Sequence, residues 1–206
     1  MKNISTGLVI LAVFMLIGYA FSINQFDVQR LNVAIYDFFG STRSNDGVAV
    51  MRQLTRIGES EVLFPLSGAA LLAFFFLRKW KLGMIFAIGV WMTDLLTNYT
   101  KVLFNIPRPL DKLIGTGGYS FPSGHVSSAA IVFGVIAVGL VPLIKRYPRV
   151  RILCWTLCGL AVALVGISRL YLNVHWFSDV IGGILLPIGI IFLLIGAGEK
   201  IENMGR

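Results

Sequence analysis

The chain contains six apolar segments, each close in length to a helix that crosses a membrane. Such a helix needs roughly 20 mainly apolar residues to span the hydrocarbon core of a bilayer. The segments lie at about 5–24, 61–77, 83–105, 124–144, 152–172 and 177–198. The sequence therefore predicts an all-α membrane protein in which six transmembrane helices form a single domain over residues 1–206.

The overall composition agrees with a membrane protein. Hydrophobic residues account for 56% of the chain and charged residues for 14%, and the mean hydropathy is +0.80. A soluble domain has roughly half apolar and about a quarter charged residues. The net charge of +8 would also suit a nucleic-acid-binding protein. The cations, however, lie in short runs between apolar segments, so we expect membrane lipids as partners and no nucleic acid, with the oligomeric state left open.

The distribution of Lys and Arg predicts the orientation in the membrane. An even number of spans places both termini on one side, together with the loops 78–82 and 145–151. The cations of that side are Lys2, Arg78, Lys79, Lys81, Lys145, Arg146, Arg149, Arg151, Lys200 and Arg206. Apart from three cations in polar motifs, the other side has Arg30, Arg43, Arg52, Arg56 and Lys112. By the positive-inside rule we expect a multi-pass plasma-membrane protein with cytoplasmic termini and extracytoplasmic motifs.

Between the first two spans, the segment 25–60 is too polar to cross the membrane but shows helical periodicity. One apolar stripe consists of Val28, Leu31, Ile35 and Phe38, and a second of Val48, Met51, Leu54 and Ile57. The pattern predicts two short helices. They lie either on the outer membrane interface or against the end of the helical bundle, and the sequence favours neither position over the other.

The first polar motif is a pair of cations at the outer end of the third span. Lys101 and Arg108 are seven residues apart, which is two helical turns, and Pro107 and Pro109 end the helix. The pair forms a cationic clamp. Asp94 lies two turns earlier on the same face. Because charge inside a membrane is costly, we interpret Asp94 as a structural partner of Lys101 or of a neighbouring helix rather than as a catalytic acid.

The second motif, Pro122-Ser123-Gly124-His125, opens the fourth span. The first N–H groups of a helix have no partner within the helix, and the helix dipole favours an anion at that end. Gly124 permits the close approach of a ligand. A Pro-Ser-Gly start is often only a helix cap. Here His125 follows directly and the cationic clamp precedes, which favours a functional anion site.

The third motif joins Ser168 and Arg169 at the end of the fifth span to His175 and Asp179 at the start of the sixth. A short turn brings Arg169 and His175 to the same mouth. Asp179 follows His175 by one helical turn, where its carboxylate can accept a hydrogen bond from one ring nitrogen and leave the other as a nucleophile. A lone membrane histidine is often a packing residue, but this combination predicts a catalytic site.

These residue types together suit phosphoryl transfer. Phosphate esters resist attack because their oxygens are negative, so a catalyst must neutralise that charge and align the nucleophile with the leaving group. Three cations and a helix N-terminus supply the neutralisation. His175 can attack phosphorus to give a phosphohistidine, and His125 can protonate the leaving oxygen and later activate water. Asp179 is the one carboxylate in the motifs, so we expect no metal and no cofactor.

The three motifs resemble the complete signature of the type 2 phosphatidic acid phosphatase (PAP2) superfamily. In this chain they read Lys101-x6-Arg108-Pro109, Pro122-Ser123-Gly124-His125 and Ser168-Arg169-x5-His175-x3-Asp179. The resemblance implies a metal-independent lipid phosphatase whose nucleophile, acid/base and orienting carboxylate are His175, His125 and Asp179. It also implies a phosphate-binding set formed by Lys101, Arg108, Ser123, Gly124 and Arg169. The compact size is similar to that of bacterial members that act as phosphatidylglycerophosphatase B or undecaprenyl-diphosphatase.

We therefore expect hydrolysis of the terminal phosphate of a membrane lipid phosphate or diphosphate. Phosphatidylglycerophosphate, undecaprenyl diphosphate and phosphatidic acid are the candidate substrates. A lipid phosphotransferase that uses the same phosphohistidine is an open alternative. A non-catalytic phospholipid transporter is disfavoured, because the cytoplasmic halves of the fourth to sixth spans carry no charge pairs that would form a polar path.

Overall fold

The protein folds into a bundle of helices. A computed structural model describes residues 2–140 and 146–204, and these residues form no strand. The helices are α1 Lys2–Ser22, α2 Phe26–Ser41, α3 Asn45–Thr55, α4 Ser60–Phe76, α5 Trp80–Phe104, α6 Gly124–Leu140, α7 Pro148–Tyr171 and α8 Phe177–Met204. A short 3-10 turn, Arg56–Gly58, follows α3. The prediction of an all-α fold is confirmed.

Five helical stretches within the described ranges are long and apolar enough to cross a membrane. They are Lys2–Ser22, Asn45–Phe76, Trp80–Phe104, Pro148–Tyr171 and Phe177–Lys200. The predicted span 124–144 corresponds to α6, a shorter apolar helix, and positions 141–144 of that span lie outside the described residues. The chain has the helices of a membrane protein, and the count of six spans stays a prediction.

The apolar stretch 45–76 is not one continuous helix. Glu59 has an extended backbone (φ −83°, ψ 154°) between the 3-10 turn and α4. This residue separates α3 from α4, so α4 alone matches the span predicted at 61–77. The break lets α3 and the turn lie across the end of the bundle.

Helices α2 and α3 occupy the polar segment between the first two spans and pack on the ends of α7 and α8. The side chain of Ser44 caps α3 by accepting a hydrogen bond from the N–H of Gly47. The buried Asn32 amide donates to the hydroxyl of Ser178 and accepts from its backbone N–H, both at 3.0 Å. These contacts seat α2 and α3 on the bundle, and their position at a membrane interface stays a prediction.

Helix α8 lies at the centre of the bundle and packs against α1, α5 and α6. Phe14 of α1 stacks on Phe121 with ring centroids 5.3 Å apart, and Leu186 and Ile190 of α8 complete this buried cluster. A second cluster around Phe86 joins α4, α5, α6 and α8. The burial of these side chains fixes the helix ends relative to one another, and those ends carry the three polar motifs.

A long loop, residues 105–123, connects α5 to α6 at this end of the bundle. Asn105 ends α5 in the left-handed backbone conformation, with φ 50°. The loop returns to its own start through the N–H of Ser120, which donates to the carbonyl of Ile106 at 2.8 Å. The closed loop holds Arg108 against the ends of α7 and α8.

Candidate active site

His175 and Asp179 form a buried pair where α7 passes into α8. His175 Nδ1 lies 3.1 Å from Asp179 Oδ2, and the two side chains are 1% and 0% exposed. The backbone N–H of Trp176 donates to the same carboxylate oxygen at 2.7 Å, and the hydroxyl of Ser120 also donates to it. These donors fix the carboxylate, and the carboxylate orients the ring.

Arg108 lies on the other side of the His175 ring. Its Nη1 is 2.9 Å from His175 Nε2 and donates to the carbonyl of Val174 at 2.7 Å. A guanidinium can donate but cannot accept a hydrogen bond. His175 Nε2 is therefore the acceptor, and Nδ1 carries the ring proton toward Asp179. The lone pair of Nε2 faces the cationic side of the site.

The surroundings of His175 favour the neutral ring. Burial holds the pKa of His175 well below its ordinary value, and the positive charge of Arg108 lowers it further. At neutral pH the ring therefore keeps the lone pair that a nucleophile needs.

The prediction that Lys101 and Arg108 lie two turns apart on one helix is wrong, because α5 ends at Phe104 and Arg108 lies in the following loop. Lys101 lies in the last turn of α5 and contacts the part of this loop that precedes α6. Its Nζ donates to the carbonyls of Tyr119 at 2.9 Å and Ser120 at 3.3 Å. The predicted pairing of Asp94 with Lys101 or with a neighbouring helix is not found among the described residues. Asp94 instead lines a cavity between α4, α5 and α6, and no described residue forms a hydrogen bond or an ion pair with it.

The first turn of α6 borders an open space. The backbone N–H of Ser123 donates to the carbonyl of Asp179 at 3.0 Å, and its buried hydroxyl has no partner among the described residues. A Cβ placed on Gly124 would meet no atom within 4 Å, so the space beside it is free. Gly124, His125 and Arg169 line a cavity of about 550 Å³. The helix start thus offers donors and room for an anion.

Arg169 is 1% exposed and lies near the end of α7. Its Nη1 donates to the hydroxyl of Thr55 at 2.8 Å. Its Nε and Nη2 have no partner within the described part of the chain. A guanidinium binds an oxyanion with two parallel N–H groups. Nε and Nη2 of Arg169 form such an unpartnered pair of donors, in a residue that lines the cavity.

The structure brings all the predicted site residues to one end of the bundle. They are Lys101, Arg108, Ser123, Gly124, His125, Arg169, His175 and Asp179. Lys101, Arg108 and Arg169 supply the positive charges of the site. No group of three or more His, Cys, Asp or Glu side chains in residues 2–140 and 146–204 is placed to hold a metal ion. The predicted site residues contribute two imidazoles, the Asp179 carboxylate and several cationic or N–H donors, and Glu59 and Glu61 also line the cavity beside His125 and Arg169.

Two residues of the site were not predicted from the sequence. Ser120 donates to Asp179 and lies 3.4 Å from His175 Nδ1. Ser120 precedes Ser123 by three residues, and this nearness to the second motif is the one feature of the sequence that could have indicated it. Thr55 is 114 positions from Arg169, and no local pattern points to it.

The sequence of this chain matches a known protein family. A sequence model described as the PAP2 superfamily matches residues 78–201, which include all three motifs. The chain belongs to the PAP2 superfamily. It is 36% identical to phosphatidylglycerophosphatase B of Bacillus subtilis over 155 residues. The matched stretch covers 75% of this chain and 76% of that protein. It is 30% identical to an undecaprenyl-diphosphatase of Sulfolobus acidocaldarius over 163 residues, and this matched stretch covers 73% of each chain.

A solved structure shares the architecture. The crystal structure of a transmembrane PAP2-type phosphatidylglycerolphosphate phosphatase from Bacillus subtilis matches with a TM-score of 0.83 and 32% identity, over 95% of this chain and 96% of that chain. The resemblance inferred from the three motifs is confirmed. This PAP2 protein is a membrane hydrolase of the phosphatase type.

Proposed function

We propose that this PAP2 protein is a metal-independent lipid phosphatase that hydrolyses the terminal phosphate of a membrane lipid phosphate or diphosphate. The candidate substrates are phosphatidylglycerophosphate, undecaprenyl diphosphate and phosphatidic acid. Two relatives are named for activity on the first two of these lipids. Their names support the substrate class without choosing among its members.

One observation carries the proposal, namely that the two ring nitrogens of His175 face partners of opposite charge. Nδ1 is turned to Asp179, and Nε2 is turned to Arg108, which can only donate. The ring therefore directs a lone pair to a place where a cation would hold a phosphate oxygen. A histidine that only filled space would not need an orienting carboxylate on one nitrogen and a cation on the other.

In the first step, a phosphoryl oxygen takes over the hydrogen bond that Arg108 Nη1 donates to His175 Nε2, and the freed lone pair of Nε2 attacks phosphorus. A bond forms between nitrogen and phosphorus, and the bond from phosphorus to the lipid oxygen breaks. His125 gives its proton to the departing oxygen, so the dephosphorylated lipid leaves as a neutral alcohol or as a phosphate with one fewer phosphoryl group. Lys101, Arg108 and Arg169 balance the negative charge on the phosphoryl oxygens.

In the second step, water hydrolyses the phosphohistidine. His125, which lost its proton in the first step, takes one from the attacking water. The oxygen of that water bonds to phosphorus as the bond to His175 Nε2 breaks, and inorganic phosphate is released. Asp179 stabilises the positive charge that the His175 ring carries while it is phosphorylated.

The cavities support a lipid rather than a soluble ester as the substrate. The cavity beside His125 and Arg169 adjoins a second cavity of about 460 Å³ between α4, α5 and α6, and Ser60 and Ser128 line both. Phe64 lines the second cavity and is 78% exposed on the side of the bundle. A lipid headgroup can enter the first cavity from the side while its apolar chain stays in the bilayer.

The proposed setting is the outer leaflet of the plasma membrane. We propose six spans, both termini in the cytoplasm, α2 and α3 at the outer interface, and the active site on the extracytoplasmic face. The Lys and Arg residues of the loops 78–82 and 145–151 support this orientation. Two of the cations counted on the inner side, Lys145 and Arg206, lie outside the described residues.

The test is phosphate release from the three candidate lipids, measured side by side on the purified protein in detergent. We expect one inorganic phosphate for each dephosphorylated lipid, no effect of a metal chelator, and no release by the His175→Ala variant. Phosphate that moves to another lipid or to glycerol, without release, would instead make the protein a phosphotransferase. Failure to act on any of the three lipids would contradict the proposed function.

A further inference from the structure

We propose that Thr55 is a positioning residue of the phosphate site, because it holds the guanidinium of Arg169 with one edge turned to the phosphate. The proposal rests on the proposed function, since it assigns a role to Arg169 in binding the phosphoryl group. Thr55 lies outside residues 78–201, the part of the chain that matches the PAP2 superfamily.

The hydroxyl of Thr55 is committed to Arg169. Thr55 is the last residue of α3 and is 3% exposed. It precedes the 3-10 turn, but its side chain makes no capping hydrogen bond there. The hydroxyl oxygen accepts from Arg169 Nη1 at 2.8 Å. This contact therefore gives a buried cation a neutral acceptor at one of its three nitrogens.

The other two nitrogens of Arg169 form the edge that suits an oxyanion. Nε and the Nη2 amine direct parallel N–H bonds to the same side of the guanidinium, whereas Nη1 lies at the far side. Nε and Nη2 are both buried and without a partner among the described residues. Because Thr55 holds Nη1, it restrains the rotation of the guanidinium and leaves the Nε and Nη2 edge for an oxyanion in the cavity that Arg169 lines.

The turn after Thr55 is seated firmly enough to serve as an anchor. A Cβ on Gly58 would lie 2.9 Å from Val165 Cγ1 and 3.0 Å from the carbonyl oxygen of His125, so the turn is in close contact with α6 and α7. On α3 itself, the Arg52 Nη2 donates to the carbonyl of Leu113 at 2.8 Å. Thr55 is thus placed by the packing of α3, and it transmits that placement to Arg169.

The experiment measures vanadate binding to the purified full-length protein by calorimetry, together with the thermal unfolding temperature. Thr55→Val removes the hydroxyl with little change in volume, and Thr55→Ser restores it. Thr97→Val is the matched control, because Thr97 is also buried and its hydroxyl has no described partner. We expect Thr55→Val to weaken binding about tenfold, Thr55→Ser to stay within about threefold of the original protein, and Thr97→Val to leave binding unchanged.

A double variant separates positioning from general damage to the site. In the Arg169→Gln background, Thr55→Val should cause no further loss, since Thr55 acts through Arg169. An equal loss in both backgrounds, or unchanged binding by Thr55→Val, would overturn the proposal. A loss in Thr55→Ser as large as in Thr55→Val would also overturn it. Vanadate binding by a protein that releases phosphate from none of the lipids would contradict the proposed function and leave the role of Thr55 intact.

Discussion

Arg108 Nη1 lies 2.9 Å from His175 Nε2, which sets a fixed cation beside the atom that we propose attacks phosphorus. The contact has two consequences. The guanidinium cannot accept a hydrogen bond, so the lone pair of the ring stays on Nε2. The same cation lies where negative phosphoryl oxygens must approach the nucleophile. Binding of the phosphate and alignment of the attack are therefore coupled through one pair of side chains.

Replacing the nucleophile should abolish turnover. His175→Ala removes the imidazole that Asp179 orients, and no other described imidazole is paired with that carboxylate, so we expect no phosphate release above background. Asp179→Asn should retain slight activity, reduced by about 10³- to 10⁴-fold, because an amide can hold the ring but cannot stabilise its charged form. Steady-state phosphate release on one lipid substrate checks both. Near-normal release by His175→Ala would rule out its role as the nucleophile.

The acid side of the pH profile should report on His175. The ring must be neutral to attack, so activity falls as the pH drops through its pKa. Burial and Arg108 hold that pKa well below its ordinary value, so kcat/KM should persist below about pH 6.5. Arg108→Gln removes a positive charge, which raises the pKa and should move the loss of activity to higher pH. If the pH at which Arg108→Gln loses activity were the same as in the original protein, or lower, this electrostatic effect of Arg108 on His175 would be contradicted.

Ser120 should support catalysis by fixing Asp179. The serine hydroxyl donates to the carboxylate oxygen that also contacts His175 Nδ1. A hydrogen bond to a charged group is worth about 1.5–3 kcal/mol, so Ser120→Ala should lower kcat roughly 10- to 100-fold. The matched control is Ser178→Ala, which removes a buried hydroxyl that pairs with Asn32 on α2. A larger loss of kcat in the control than in Ser120→Ala would contradict this role.

Thiol labelling tests the orientation of the chain in the membrane. After Cys154 and Cys158 are replaced, a cysteine at Gly117, in the loop between the first two motifs, should react with an impermeant thiol reagent in intact cells. A cysteine at Tyr147 should react only after the membrane is permeabilised. Labelling of both positions is quantified by gel shift. The reverse pattern would invert the proposed topology and leave the phosphatase chemistry unaffected.

Much of the active site could be predicted because its geometry is local in sequence. His175 and Asp179 are separated by one helical turn, and Ser123, Gly124 and His125 begin a helix, so spacing alone indicates which groups meet. The apolar segments likewise indicate helices, because a chain in lipid must satisfy its own backbone hydrogen bonds.

Contacts between distant segments could not be predicted in the same way. Thr55 reaches Arg169 across 114 positions, and this pairing depends on how α3 packs on α7. The expected pairing of Asp94 with Lys101 rested on a shared helix face. It is not found, because the Lys101 ammonium binds backbone carbonyls of the loop that precedes α6. Helical periodicity gives the face of a residue but not the partner that packing brings to it.

Rapid-quench detection of a phosphorylated histidine tests the central claim most directly. A lipid diphosphate labelled in its terminal phosphate is mixed with the original protein and with a His125→Ala variant. Because the phosphate leaving group of a diphosphate departs without protonation, the variant should still form the intermediate, but it should hydrolyse the intermediate slowly for want of a general base. We predict an acid-labile, base-stable phosphoryl group on His175 that accumulates in the variant and is absent from a variant that also carries His175→Ala. Phosphate release without any labelled protein, or a label on a different residue, would contradict catalysis through His175.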